Sequence, residues 1–260
     1  MRERLRLMSM IALFAIALVS VGCATSEEPA EEPTAAEEPE AEPAATTSIL
    51  ADPIRPKDEV AQDDGRKALD AYAFFGVEPG MTVADVWTGA GYNTHLLSRT
   101  VTDGKVFAIL GLYAEGQFAQ ADALAQRVTD AELDNVEIVT AITDVPADSL
   151  DVAIMVRNFH DADAYGDGRP ATVAQLFAIT KPGGIVGIID VATPHEGWHE
   201  DTHRLNEQAV IDDFVGGGFE LVDSSDMLRN PDDDHSATGF QEGRHTVDRY
   251  VLKFRKPAGN

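Results

Sequence analysis

The sequence predicts one α/β domain built on a doubly wound sheet of seven strands, mostly parallel, with an antiparallel last strand. Three observations carry this. Short segments that are apolar throughout alternate with longer segments of helical spacing, the pattern of strands covered on both faces by crossover helices. Glycine and proline clusters punctuate the alternation. A hydrophobic fraction of 44% in 260 residues supports a core of that size, which we assign to residues 51–260.

Taken in order, Arg66 to Phe75 has Leu69, Tyr72 and Ala73 on one helical face and is broken by Val77-Glu78-Pro79-Gly80. Thr82 to Val86 is the first strand, followed by a glycine-rich turn and a helix from Asn93 to Val101. After the turn Asp103-Gly104 come a strand, Lys105 to Leu110, and a helix, Ala119 to Leu133. Val136 to Val139 and Leu150 to Val156 are strands three and four. Pro170 to Thr180 is a helix stopped by Lys181-Pro182-Gly183-Gly184, and Ile185 to Asp190 is strand five. A helix from His203 to Val215 ends at three glycines, and Phe219 to Asp223 and Thr246 to Phe254 are the last strands. The connection 224–245 has no helical pattern, so the final strand is expected to run antiparallel, at the edge beside strand six.

The N-terminal residues read differently. Arg2, Arg4 and Arg6 precede an apolar run from Met8 to Val21, too short for a comfortable membrane span but built like an export signal. The only cysteine, Cys23, follows directly. The segment resembles a bacterial lipoprotein signal, with residues 1–22 removed and Cys23 lipidated. Residues 23–50 then form a tether whose Glu-Pro repeats lack basic residues and cannot build a core. Ala24 after the cysteine gives no retention signal at the inner membrane. The expected location is therefore the periplasmic side of the cell envelope, as an outer-membrane lipoprotein anchored through Cys23.

Composition excludes several functions. Lys plus Arg total 20 against 45 Asp plus Glu, a net charge of −25 that opposes nucleic-acid binding and attraction to anionic lipid. One cysteine excludes an internal disulfide and any Cys-rich zinc site.

The first chemical site is Asp85-Val86-Trp87-Thr88-Gly89-Ala90-Gly91, between strand one and a helix. Glycines there let a ligand approach the backbone at the C-terminal edge of the sheet. The stretch resembles motif I of class I S-adenosylmethionine-dependent methyltransferases, with Trp87 in place of the first glycine. Val77-x-Pro79-Gly80-Met81, the Lys181-Pro182-Gly183-Gly184 turn, and the pair Gly218-Phe219-Glu220 and Arg249-Tyr250-Val251-Leu252 are similar to the same family. Arg157-Asn158-Phe159-His160-Asp161 and Pro194-His195-Glu196-Gly197-Trp198-His199 resemble an exported branch of predicted methyltransferases. The resemblance implies a Rossmann-like fold and S-adenosylmethionine as cofactor. It places Gly89 and Gly91 at the methionine part, and Asp85 at the turn or the ammonium group. Asp144 would meet the adenine, and Trp87 would narrow the pocket or stack on the ligand. The acid expected after strand two is replaced by Ile109-Leu110-Gly111.

Asn158, His160 and Asp161 leave strand four at the ligand-binding edge. Asn158 is expected to bind substrate or cofactor, His160 to act as general base, and Asp161 to orient it. His195 and His199 follow strand five and are expected to shape the substrate side. The substrate is a small molecule that composition does not name. Two other readings fit the same residues. His199-Glu200-x-x-His203 has metalloprotease spacing, so a metal-dependent hydrolase using His199, Glu200 and His203 is one. A non-catalytic ligand-binding or scaffold protein of the envelope is the other. Asp232-Asp233-Asp234-His235 reads as a solvated acidic loop; Arg229, Arg244 and His245 flank it, so ion pairs that hold it, or contacts to a polar substrate, are the alternatives.

Overall fold

The computed structural model describes residues 49–238 and 247–259. The expected signal segment, Cys23, nearly all of the expected tether, Arg244 and His245 lie outside the described residues. Seven strands form one sheet: β1 (Thr82–Val86), β2 (Lys105–Ile109), β3 (Val136–Val139), β4 (Leu150–Val156), β5 (Thr180–Val191), β6 (Glu220–Ser225) and β7 (Arg249–Arg255). Their order is β3-β2-β1-β4-β5-β7-β6. The β1–β2, β1–β4, β2–β3 and β4–β5 pairs are parallel, while β7 is antiparallel to both β5 and β6. The doubly wound architecture and the antiparallel last strand are therefore as expected. Its edge position is not: β7 is inserted between β5 and β6, and β6 is the edge. Burial explains the exchange. Tyr250, Val251, Leu252 and Phe254 are fully buried, a run suited to a central strand, whereas most of β6 is exposed.

Side chains alternate between two cores, as the two-residue period of a strand requires. Val83, Val106, Val152, Ile154 and Val251 meet helices α1 (Ala68–Phe75) and α2 (Tyr92–Val101) through Phe75, Leu96 and Leu97. Ala84, Phe107, Met155, Ile188 and Leu252 meet α4 (Arg169–Ile179) and α5 (Glu207–Gly216) through Leu176, Val210 and Phe214. Helix α3 (Ala121–Asp130) buries Leu124. At Gly187 a Cβ would fall 2.6 Å from the Phe75 ring, so the absence of a side chain lets α1 lie directly on β5.

Helix α3 is shorter at both ends than the expected Ala119 to Leu133, and two other helix boundaries depart for a visible local reason. Lys67 adopts a left-handed backbone (φ 47°), which separates a single turn, Asp63–Arg66, from α1. Helix α5 begins at Glu207 rather than His203, because Asn206 caps it by accepting from the amides of Gln208 and Ala209. Residues 198–205 instead form a small antiparallel ladder, with Trp198 opposite Leu205 and His199 opposite Arg204. The His-Glu-x-x-His segment is thus not helical, and His203 sits in a left-handed conformation (φ 53°). Among the described residues no helix is long and apolar enough to cross a membrane.

Candidate functional site

Strand β1 delivers Asp85, buried, to the start of the glycine turn. Thr94 from α2 donates to its carboxylate at 2.7 Å, and the Thr88 and Thr94 hydroxyls lie 2.5 Å apart. Burial raises the Asp85 pKa above its ordinary value, although bonds from Thr88 and Thr94 oppose the shift. Gly89 and Gly91 have φ of 60° and 87°, the region open to glycine. At Gly91 a side chain would also strike Leu124 at 2.6 Å, whereas at Gly89 the space is open to 3.6 Å. Asp85, Thr88 and Gly89 line a cleft of about 280 Å³ together with Arg66, Tyr113 and Asn158, whereas Gly91 faces Leu124 and Arg127 and does not line it.

Part of the cleft wall comes from a segment whose role the sequence did not signal. The single turns Lys57–Val60 and Asp63–Arg66, with Gln62 between them, contribute Asp58, Glu59, Gln62 and Arg66. They are fastened by Arg55 to Asp63 at 2.6 Å, by the Tyr92 hydroxyl donating to Asp63 at 2.7 Å, and by Arg127. The Arg127 guanidinium donates to the Ala90 carbonyl at 2.6 Å and to Glu59 at 2.9 Å. The same arginine therefore joins the glycine turn to its cover.

Trp87 divides the ground beyond. Its φ is 59°, a conformation that a glycine would adopt freely and an L-residue adopts at a cost. The indole is buried and lies on Gly111, where a Cβ would fall 2.0 Å from Trp87 Cδ1, and it reaches Gly166 on the other side. It also lines a second hollow of about 310 Å³ with Gly111 and Thr140 to Thr143, at the ends of β2 and β3. Each hollow alone is at the small end of ligand sites, which run from ~300 to 1,000 Å³. Asp144 caps its own turn, its carboxylate accepting from the Ala141 amide at 2.8 Å.

The residues after β4 part company. Asn158 turns to the glycine turn: its amide donates to the Trp87 carbonyl at 2.8 Å, and its oxygen accepts from the Tyr113 hydroxyl at 2.9 Å. His160 and Asp161 are buried elsewhere and do not line the cleft. His160 Nδ1 is 2.6 Å from Asp190, a fully buried carboxylate at the end of β5, and its Nε2 is 3.3 Å from Asp161. His203 Nε2 lies 2.8 Å from Asp161. Trp198 stacks on the His160 ring with centroids 5.4 Å apart, and His203 meets both rings edge-on. Burial works against a charged His160, but the charge of Asp190 and close contact with both carboxylates outweigh it and raise its pKa to about 9. Burial is likewise outweighed at Asp161, which contact with His160 and His203 lowers to about 2. An imidazole so held keeps its proton at neutral pH. The partner responsible is chiefly Asp190, visible in the sequence only as a charge ending an apolar strand.

The other histidines stand together but apart from this cluster. His195 is exposed and stacks on His199 at 4.7 Å, and His199 Nδ1 contacts the Thr202 hydroxyl at 2.8 Å. The acidic loop is not simply solvated: Asp233 is ion-paired, by a residue the sequence reading did not name. Arg204, fully buried, binds Asp233 at 2.8 Å and the Ala192 carbonyl at 2.9 Å. Arg229 reaches Asp248 rather than the acidic run.

No protein-family model matches the sequence, and no characterised protein matches it by sequence. Solved structures do match by fold. A methyltransferase dependent on S-adenosylmethionine from Aquifex aeolicus superposes with a TM-score of 0.57 at 20% identity, over 80% of this chain and 97% of that one. This is the fold of class I S-adenosylmethionine-dependent methyltransferases. The 1,6-didemethyltoxoflavin-N1-methyltransferase of Burkholderia thailandensis, solved with S-adenosylhomocysteine, gives 0.50 at 18%, over 85% and 93%. The (4+2)-cyclase SpnF gives 0.57 at 16%, over 75% and 81%. A cyclase and methyltransferases on one fold mean that the reaction must be argued from the site.

Proposed function

We propose that the chain is a methyltransferase-like enzyme that uses S-adenosylmethionine and acts on a small molecule. The observation that carries this reading is the glycine turn. A buried Asp85, two left-handed glycines and a cleft lie at the C-terminal end of β1, on a fold that solved methyltransferases share. The residues fit the amino-acid part of the cofactor, which Asp85, Gly89, Gly91 and Asn158 would hold. The nucleoside part would extend toward Thr140 to Thr143 and Asp144, past the Trp87 indole, which stands between the two hollows. When bound, the cofactor supplies an electrophilic methyl group.

The chain's own residues then position the acceptor. Asn158, fixed by Tyr113 and the Trp87 carbonyl, presents a rigid polar group at the cleft. Segment 194–203, carrying His195 and His199, forms the substrate side. His160 acts as a positioning residue whose ring, stacked on Trp198 and met edge-on by His203, holds both in place. We assign the acceptor to small molecules because the charge of −25 opposes nucleic acid.

The test is a calorimetric titration of S-adenosylhomocysteine into the wild type and Gly89→Ala. The nearest atom to a methyl group added at Gly89 is 3.6 Å away, which leaves room for the variant to fold, while the left-handed φ of 60° strains a side chain there and shifts the turn. A saturable heat at about one equivalent, weakened about tenfold or more in the variant, is the expected result. Absence of heat at millimolar ligand contradicts it. That outcome would favour the non-catalytic ligand-binding reading, for which the Trp87 partition is the specific support.

We further propose the envelope location, with Cys23 as lipid anchor. Cys23→Ser should abolish incorporation of a labelled fatty acid and release the protein from membranes. An unlabelled wild type with unchanged membrane retention removes the proposal.

A further inference from the structure

We propose that His160, Asp161 and His203 form a binding site for one first-row divalent cation, fastening the 198–205 hairpin to the turn after β4. The proposal is independent of the cofactor reading. One potential ligand atom from each of the three residues lies within 4.8 Å of the other two. An ion with bonds of roughly 2.0–2.2 Å holds its ligands about 3–4 Å apart, so small side-chain shifts close the site. The two contacts to Asp161, 3.3 Å from His160 and 2.8 Å from His203, already fall near that range.

Two further observations point to a ligand. The His160 side chain is 3% exposed, and its Nε2 meets no partner in hydrogen-bonding geometry although it is aimed at the Asp161 carboxylate. A buried polar atom left in that state is costly. The opposite ring nitrogen, Nδ1, lies 2.6 Å from the fully buried Asp190, whose second oxygen accepts from the His160 amide at 3.0 Å. A carboxylate behind the distal nitrogen is the arrangement that fixes the tautomer and orientation of a metal-binding imidazole. Trp198, stacked on the same ring, restricts water. Two imidazoles and one carboxylate suit zinc or iron(II), with positions left for water or another ligand.

This differs from the sequence motif in both ligands and geometry. His199 is occupied with Thr202 and His195, so only His203 of the His-Glu-x-x-His pair takes part. His160 and Asp161 come from a turn about forty residues earlier, which no local spacing signals.

The experiment uses the full chain purified without a histidine tag, stripped by chelator and titrated with zinc chloride. Binding of one equivalent per chain, weakened at least 100-fold in His203→Ala and in Asp161→Asn, is expected. Asp190→Asn should weaken it 10–100-fold, and His199→Ala should leave zinc binding unchanged. Circular dichroism of the stripped variants verifies that they fold. A zinc-soaked crystal of the wild type supplies a second measurement that does not depend on any variant. Anomalous scattering should place the ion among the three side chains. Zinc bound elsewhere, no zinc bound, or affinity unchanged in His203→Ala and Asp161→Asn would overturn the assignment.

Discussion

At the scale of single residues, the protein concentrates its unusual chemistry in two places, Trp87 and His160. In protein stripped of divalent ions, His160 is held above its ordinary value of 6.5, at about 9. A group raised on folding contributes stability that is complete below about pH 6.5 and is lost as pH rises through about 9. Thermal melting of the stripped protein should therefore fall between pH 7 and 9.5, and His160→Gln should remove that part of the decline. Identical pH curves for the two proteins would show that the imidazole carries no such charge. Trp87 is a different case. A bulky residue takes a left-handed position, and its indole covers Gly111 where the family resemblance implies an acid. The two departures seen separately in the sequence, the tryptophan and the missing acid, are thus one feature in space. Their adjacency was not legible because residues 87 and 111 are joined only by the sheet.

At the scale of elements, what the sequence made legible follows from how each element is stabilised. The strands announced themselves because burial on both faces demands an unbroken apolar run, as in Leu150 to Val156. The start of α5 did not. His203 and Arg204 have no local mark of a ladder, and Arg204 is buried through Asp233, twenty-nine residues away. The cap at Asn206 sets the true start, and its loss is measurable. Asn206→Ala should cost about 1 kcal/mol, read as a lower urea midpoint with an unchanged slope. No shift in midpoint would mean that packing of Val210 and Phe214 alone fixes the helix. The position of β7 was half legible. Its apolar run marked it as central, but strand order is a tertiary property, and the edge assignment followed only from the long connection before it. The cover made by residues 57–66 was illegible, since its fastening depends on Arg55, Tyr92 and Arg127 from three separate elements.

At the scale of the whole molecule, the described residues present a mostly parallel sheet, and the C-terminal ends of its parallel strands carry two neighbouring sites. One is the glycine-turn cleft, built by β1, α2 and the 57–66 cover. The other is the His160 cluster, built by the ends of β4 and β5 and the hairpin. The first is the proposed S-adenosylmethionine site, which spans Trp87. A crystal structure grown with millimolar S-adenosylhomocysteine tests it most directly. The amino-acid end of the ligand is expected over Gly89 and Gly91, its nucleoside toward Thr140 to Thr143, and the indole moved off Gly111 or stacked on the ligand. A glycine-turn cleft without ligand, the indole still flat on Gly111, would contradict it.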